Sequence, residues 1–171
     1  PPPGFPVRIG IVAPLSGAVS PYGEATEAGA LLAVQRAVDA GWTIQTLSAD
    51  SQCDSQQAVS VTQDLVFNQG IHYIVGAVCS SASIPISELA DANRVLQIAP
   101  PSTNPEVTKY EDGTNKPYVF RACFLDPFQG KALATFANHH LDAGDAAVLY
   151  REDNDYALAW VRSYGKGRVF Y

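Results

Sequence analysis

The residues with most chemical potential fall in three polar stretches, each directly behind an apolar run: "PLSGAVSPYGE" from Pro14, "GAVCSSAS" from Gly76 and "APPSTNPEVT" from Ala99. Cys79 would be a nucleophile if a base stood beside its thiolate. The histidines are His72, inside a strand-like run, and His139-His140, late in a helical segment, so none is directed at Cys79 by position. Adjacent histidines also do not share one helical face for a metal, and no metal or cofactor is expected. Small hydroxyl residues and glycines suit a different task, because their backbone N–H groups and hydroxyls can converge on an anion such as a carboxylate. Ser80 is placed to offer its hydroxyl together with helix-terminal amides, although a plain helix cap explains it about as well. Thr103 sits in Ser-Thr-Asn-Pro, which is first of all a turn. Gly165-Lys166-Gly167 lacks phosphate-loop spacing and Arg151 to Asp155 lacks calcium-loop spacing, so neither carries chemistry.

The elements that position these stretches alternate between strand and helix. Val7 to Val12, Thr43 to Leu47, Ile71 to Val75, Val95 to Ile98, Tyr118 to Cys123 and Ala146 to Tyr150 read as strands. Between them lies a helix from Glu24, with Ala28, Leu31, Leu32, Gln35 and Val38 as its stripe and Gly41 as its stop. A second is capped by Asp54 or Ser55, with stripe Ala58, Val61, Thr62, Leu65 and Val66 and stop Gly70. Ser81 to Asn93 is a third, and Asp126 to Leu141 a fourth, with Ala132, Leu133, Phe136 and Leu141 facing inward. Ala157 to Tyr164 reads as a helix broken by Gly165 and Gly167, and Arg168 to Tyr171 as a strand. Strands joined through helices of this length predict parallel pairing by right-handed crossovers, hence an α/β, doubly wound parallel sheet. Ligands in such sheets bind beyond the carboxyl ends of the strands. The three polar stretches fall at that edge together, and this coincidence favours the ligand reading over isolated caps and turns.

Composition narrows the function class. With 47% hydrophobic and 16% charged residues among 171, the chain suits a packed domain and not a disordered one. A net charge of -6 with only 11 Lys and Arg leaves no electrostatic footprint for nucleic acid. No apolar run approaches the roughly 20 residues that span a bilayer. The chain has no methionine and opens with Pro1-Pro2-Pro3-Gly4-Phe5-Pro6, so an exported protein would already have lost its signal peptide. The three cysteines leave two alternatives: an exported protein favours a Cys53 to Cys79 bridge with Cys123 outside it, and a cytosolic one keeps three buried thiols.

Four segments, "IGIVAPLSGAVSPYGEATEAGALLAV", "DSQCDSQQAVSVTQDLV", "IVGAVCSSASIPISELADANRVLQIAPPSTNPEVT" and "FRACFLDPFQG", together resemble the periplasmic leucine/isoleucine/valine-binding proteins of ABC importers, the type I periplasmic-binding fold. The resemblance covers about residues 7 to 156. It implies a non-enzymatic protein whose two α/β lobes close on an amino acid of branched-chain type or a related small carboxylate. The implied partner is the membrane permease of an importer, and the implied location is periplasmic or extracellular, with or without a lipid anchor. Ser80 matches the serine whose hydroxyl and amide hold the α-carboxylate, and Thr103 the threonine contacting carboxylate and ammonium. Pro101 and Ser102 match neighbouring backbone contacts. Tyr22 matches an aromatic lining the side-chain pocket, and Tyr156 the tyrosine closing from the second lobe. Cys53 and Cys79 match the family's disulfide. Asp126, after the crossover, reads more readily as a helix N-cap than as a ligand contact.

The resemblance implies a first lobe over 1–122 and an incomplete second lobe over 123–171. From about residue 157, "ALAWVRSYGKGRVFY" is instead similar to a short segment of the trehalose-utilisation family, so a foreign terminal segment is a further expectation. Two other functions compete: the ligand-sensing ectodomain of a receptor, and an α/β hydrolase or sugar-processing domain.

Overall fold

The computed structural model describes residues 6–140, 146–150 and 157–161. Its elements run β1 (Val7–Ala13), α1 (Ser20–Asp39), β2 (Ile44–Asp50), α2 (Ser55–Gln63), β3 (Tyr73–Gly76), α3 (Ser80–Ala92), β4 (Leu96–Ala99), β5 (Val119–Arg121), α4 (Asp126–His140), β6 (Ala146–Tyr150) and β7 (Ala157–Val161). They divide into two units between Cys123 and Phe124, with Thr103–Pro105 grouped with the second.

The first unit is a five-stranded sheet in the order β2-β1-β3-β4-β5, with every pair parallel. The register aligns Val12 with Gly76, Val75 with Ile98 and Ala99 with Arg121, so the carboxyl ends of the strands share one edge. Alternate residues therefore face opposite sides. One side presents Val12, Leu47, Ala49 and Ile74 to α2 and α3, whose Ala58, Leu65, Ala82, Ile86 and Ala90 complete the core. Full burial of a side chain such as Ile86 contributes about 1.5–3 kcal/mol. Because β2 and β3 lie on opposite sides of β1, right-handed crossovers place α1 on the other face from α2 and α3.

Local chemistry explains the helix limits. The Asp54 side chain accepts from the Gln57 amide at 2.7 Å, which decides between the two predicted caps. A π turn over Asp64–Asn68 follows α2, and Gly70 ends the segment at φ +63°. The stripe expected on α1 is not core: Leu31, Leu32 and Val38 are 40, 56 and 41% exposed, and Gly23 is the buried residue of the helix. The α1 helix packs mainly on β1 and β2, and among the described residues apolar Tyr73, Ile98 and Phe120 stay exposed on the same sheet face.

In the second unit, α4 packs on β6 and β7. Two sequence expectations fail there. Among the α4 side chains described, Ala134 is the buried one, while Leu133 and Phe136 are each 52% exposed, so the inward face there differs from the predicted one. Leu141 lies outside the described residues. Ala157–Val161 is a strand paired antiparallel to β6, from Ala146 opposite Val161 to Tyr150 opposite Ala157, and not a helix. Cross-strand hydrogen bonding to β6 overrides the weak helical pattern of Ala-Leu-Ala-Trp-Val. The predicted strand Arg168 to Tyr171 and the glycines before it lie outside the described residues.

Candidate functional site

The strand order reverses beside β1: the chain moves from β1 to β2 on one side, then to β3, β4 and β5 on the other. That reversal opens a crevice at the carboxyl ends of β1 and β3, where sheets of this kind receive ligands. The loop after β1 and the turn after β3 border it, and the turn after β4 is next along the same edge.

The turn after β3 is built around close backbone approach. Gly76 has φ +139°, and a Cβ there would lie 2.1 Å from the Val12 carbonyl oxygen of β1. No side chain fits, so Gly76 lets the chain pass tightly over the neighbouring strand into α3. Cys79 is the N-cap residue in extended conformation, and its carbonyl accepts from the amides of Ala82 (3.0 Å) and Ser83 (2.9 Å). Ser80 is thus the first helical residue, not the cap, and stands where helix-end amides and the positive end of the dipole favour an anion.

Cys79 is bonded to Cys53, with 5.5 Å between Cα atoms. The bridge carries the turn after β2 over the end of β1 to the start of α3, and the Ser81 hydroxyl adds a 3.3 Å bond to the Cys53 carbonyl. Cys79 is therefore no nucleophile. Cys123 lies outside the bridge, half-buried, with its thiol donating to the Ser102 carbonyl at 3.3 Å.

The turn after β4 is fastened to the turn after β3 by buried hydroxyls. Ser102 is 1% exposed and shares a 2.5 Å hydrogen bond with Ser83. Ser83 also donates to the Ala77 carbonyl at 2.9 Å, and Ser102 lies 3.0 Å from the carbonyls of both Ala77 and Val78. Gln97, fully buried on β4, donates to the Gly76 carbonyl at 2.8 Å. Burying the two hydroxyls and the Gln97 amide nitrogen is tolerable because each finds a partner, whereas Gln97 Oε1 has none. The Ser102 side chain consequently faces the protein, and its carbonyl accepts from Arg121 Nη1 at 2.7 Å.

The loop after β1 has its own brace. Asp50, at the end of β2, accepts from the Leu15 amide (2.8 Å), the Ser16 hydroxyl (2.5 Å) and the Gln52 amide (2.9 Å). Partial desolvation raises its pKa, but the bonds from Ser16, Gln52 and Leu15 outweigh it and hold the carboxyl below its usual range. Farther from the crevice, Lys116 is buried and donates to Ser87 Oγ (2.7 Å) and the Glu106 carbonyl (2.9 Å). Burial pushes its pKa down, against the opposing pull of Glu88, Asp91 and Glu106.

Of the predicted site residues, Ser80 is half-buried at the head of α3, and Pro101 is exposed in the turn after β4. Tyr22 is 70% exposed on the first turn of α1. Thr103 and Asp126 come together in the second unit, where the Asp126 amide donates to the Thr103 carbonyl at 3.2 Å. Asp126 is the first residue of α4 and not its cap, where its charge suits the helix dipole. Tyr156 lies outside the described residues, as do Arg151 to Asp155. Among the described residues no group of His, Cys, Asp and Glu is arranged to hold a metal. Sequence reasoning passed over Asp50, Ser83, Gln97 and Arg121. A polar Gln inside the apolar run Val95 to Ile98, and Ser83 in register with Ile86 and Ala90, were the legible signals.

The family model described as periplasmic binding protein matches residues 6–166. The chain belongs to that family. Its members are solute-binding proteins, not enzymes. A leucine-, isoleucine-, valine-, threonine- and alanine-binding protein of Pseudomonas aeruginosa is 32% identical over 148 residues, which is 84% of this chain and 38% of that protein. A leucine-specific-binding protein of Salmonella typhimurium is 29% identical over 94% of this chain and 43% of its own. Among solved structures, the branched-chain amino acid transporter substrate binding protein LivJ of Streptococcus pneumoniae, in complex with isoleucine, has 30% identity and a TM-score of 0.73 over 81% of this chain and 39% of its own. An ABC transporter solute binding protein of R. palustris in complex with benzoate, 24% identical, shares the fold with a TM-score of 0.71 over 82% of this chain and 38% of its own. This member of the periplasmic binding protein family thus spans about two fifths of the length of the curated relatives it matches. Its five-stranded parallel sheet corresponds to one lobe of the leucine/isoleucine/valine-binding proteins. The family match continues to residue 166, across most of the stretch from Ala157 that resembles the trehalose-utilisation family.

Proposed function

We propose that this chain supplies the anchoring lobe of an ABC-importer solute-binding protein that captures a branched-chain amino acid or a related small carboxylate. In this reading the lobe works outside the cytoplasmic membrane and delivers its ligand to a membrane permease. The observation that carries it is the head of α3: Ser80 begins a helix at the carboxyl edge of β3, beside the strand-order reversal, on a turn held by the Cys53–Cys79 bridge. Helix-end amides and a hydroxyl at that place are complementary to a carboxylate. Ser80 would hold the carboxylate through its hydroxyl and amide, and Thr103 the carboxylate and ammonium. Pro101 and Ser102 would contribute backbone groups only, consistent with the inward-facing Ser102 side chain. Tyr22, exposed beside the crevice loop, and Tyr156 would line and close the pocket, with Asp126 as a secondary contact. Closure of two lobes would follow from ligand binding the closed state more tightly than the open one.

Titration calorimetry of the 171-residue chain against L-leucine, L-isoleucine, L-valine and benzoate tests this. Binding of at least one, weakened about tenfold or more by Ser80→Ala and by Thr103→Ala, is expected, each lost charged hydrogen bond being worth roughly 1.5–3 kcal/mol. Unchanged affinity in both variants would remove the carboxylate role from these residues.

A further inference from the structure

One guanidinium spans the loop that carries Thr103. Arg121, the last residue of β5, donates from Nη1 to the Ser102 carbonyl at 2.7 Å and from Nη2 to Thr108 Oγ1 at 3.0 Å. These two acceptors lie just before and just after the segment Thr103 to Val107. The start of that segment is fixed from below, because the buried Ser102 hydroxyl meets Ser83 and the carbonyls of Ala77 and Val78. Its far end is held by the Lys116 amide, which donates to the Thr108 carbonyl at 2.9 Å. Arg121 thereby ties the two ends to each other. A planar fork fixes both the separation and the orientation of its acceptors, which a single ammonium on a flexible stem does not.

We propose that Arg121 is a positioning residue for ligand capture: its two-pronged hold on Ser102 and Thr108 sets the shape of the loop that presents Thr103. The inference rests on the carboxylate reading of Ser80 and Thr103. Two simpler roles compete with it, a general attraction of the positive charge for an anion and a general contribution to folding. Arg121→Lys keeps the charge and loses the fork. Thr108→Val keeps Arg121 and removes one acceptor.

The test uses the 171-residue chain, with L-leucine and benzoate as probes in calorimetry, and amide hydrogen exchange of the non-proline residues of 102–108 without ligand. Arg121→Met and Arg121→Lys are each expected to raise Kd at least tenfold, and Thr108→Val several-fold. Exchange at 102–108 should speed up at least tenfold in the two Arg121 variants, with β1 and β3 unchanged. Parent-like affinity and exchange in Arg121→Lys would overturn the proposal in favour of charge alone. Uniform acceleration across the sheet would overturn it in favour of a folding role. If Arg121→Met does not fold, the Lys and Val variants carry the same test. If the parent binds neither probe, the carboxylate reading fails by itself, and the exchange measurement still decides the brace: unaltered exchange at 102–108 overturns it.

Discussion

Breaking the Cys53–Cys79 bridge should loosen the first unit and the turn after β3 together. The two residues are 26 apart in sequence. In the chain-entropy treatment a loop of that size restricts the unfolded chain by about 12 cal/mol/K, or about 3.5 kcal/mol at 25 °C. The Ser81 bond to the Cys53 carbonyl survives the change and recovers only a small part. The perturbation is the double variant Cys53→Ser/Cys79→Ser. Trp42 and Trp160 are the chain's two tryptophans, so Trp160→Phe in both backgrounds leaves Trp42, beside the start of β2, to report on the first unit alone. With a urea dependence of about 1–3 kcal/mol per molar, the midpoint should fall by roughly 1–3 M. The reduced parent should unfold like the double variant, and alkylation of the oxidised, denatured parent should find one thiol, that of Cys123. A midpoint shift below about 0.3 M, or three reactive thiols in the oxidised parent, would refute the staple.

Two more outcomes follow from the same turns. Asp50 titrates below its usual value in the folded state, so the stabilisation from its bonds to Leu15, Ser16 and Gln52 is complete above about pH 4, the unfolded value, and is lost as pH falls through the folded pKa; acid unfolding monitored by Trp42 should therefore begin at higher pH in Asp50→Asn, and coincident curves would contradict this. Gly76→Ala places a Cβ 2.1 Å from the Val12 carbonyl in a left-handed conformation, which should cost roughly 2–6 kcal/mol in urea unfolding, and a parent-like midpoint would show that the turn relaxes freely.

Much of the first unit was legible because its signals are local. Asp54 capping α2, the apolar runs that became β1, β3 and β4, and the polar turns behind them all depend on residues within a few positions of one another. The stretch Gly76 to Ser80 was legible as a polar turn at the end of a strand for the same reason. Failures arose where a distant partner decides. Leu31 and Leu32 have helical spacing, yet α1, packed mainly at β1 and β2, leaves them exposed among the described residues. Ala157–Val161 has a mild helical pattern, yet the edge of β6 offers it hydrogen bonds.

By itself, then, the sequence determined the alternation of strand and helix, the polar turns at the strand ends, and through its ordered motifs the family, because periodicity, capping and turn chemistry are encoded within short windows. Only the tertiary structure decided which serine heads a helix at the strand ends and which is buried against the protein. Ser80 and Ser102 are the same residue type in similar turns; one begins a helix at the crevice, and the other is buried against Ser83 and two carbonyls. Likewise the Arg121 grip on Ser102 and Thr108 joins positions 19 and 13 residues away. Such bonds depend on parallel strands being brought into register, and a side chain's direction follows from that register, which short-range pattern does not contain.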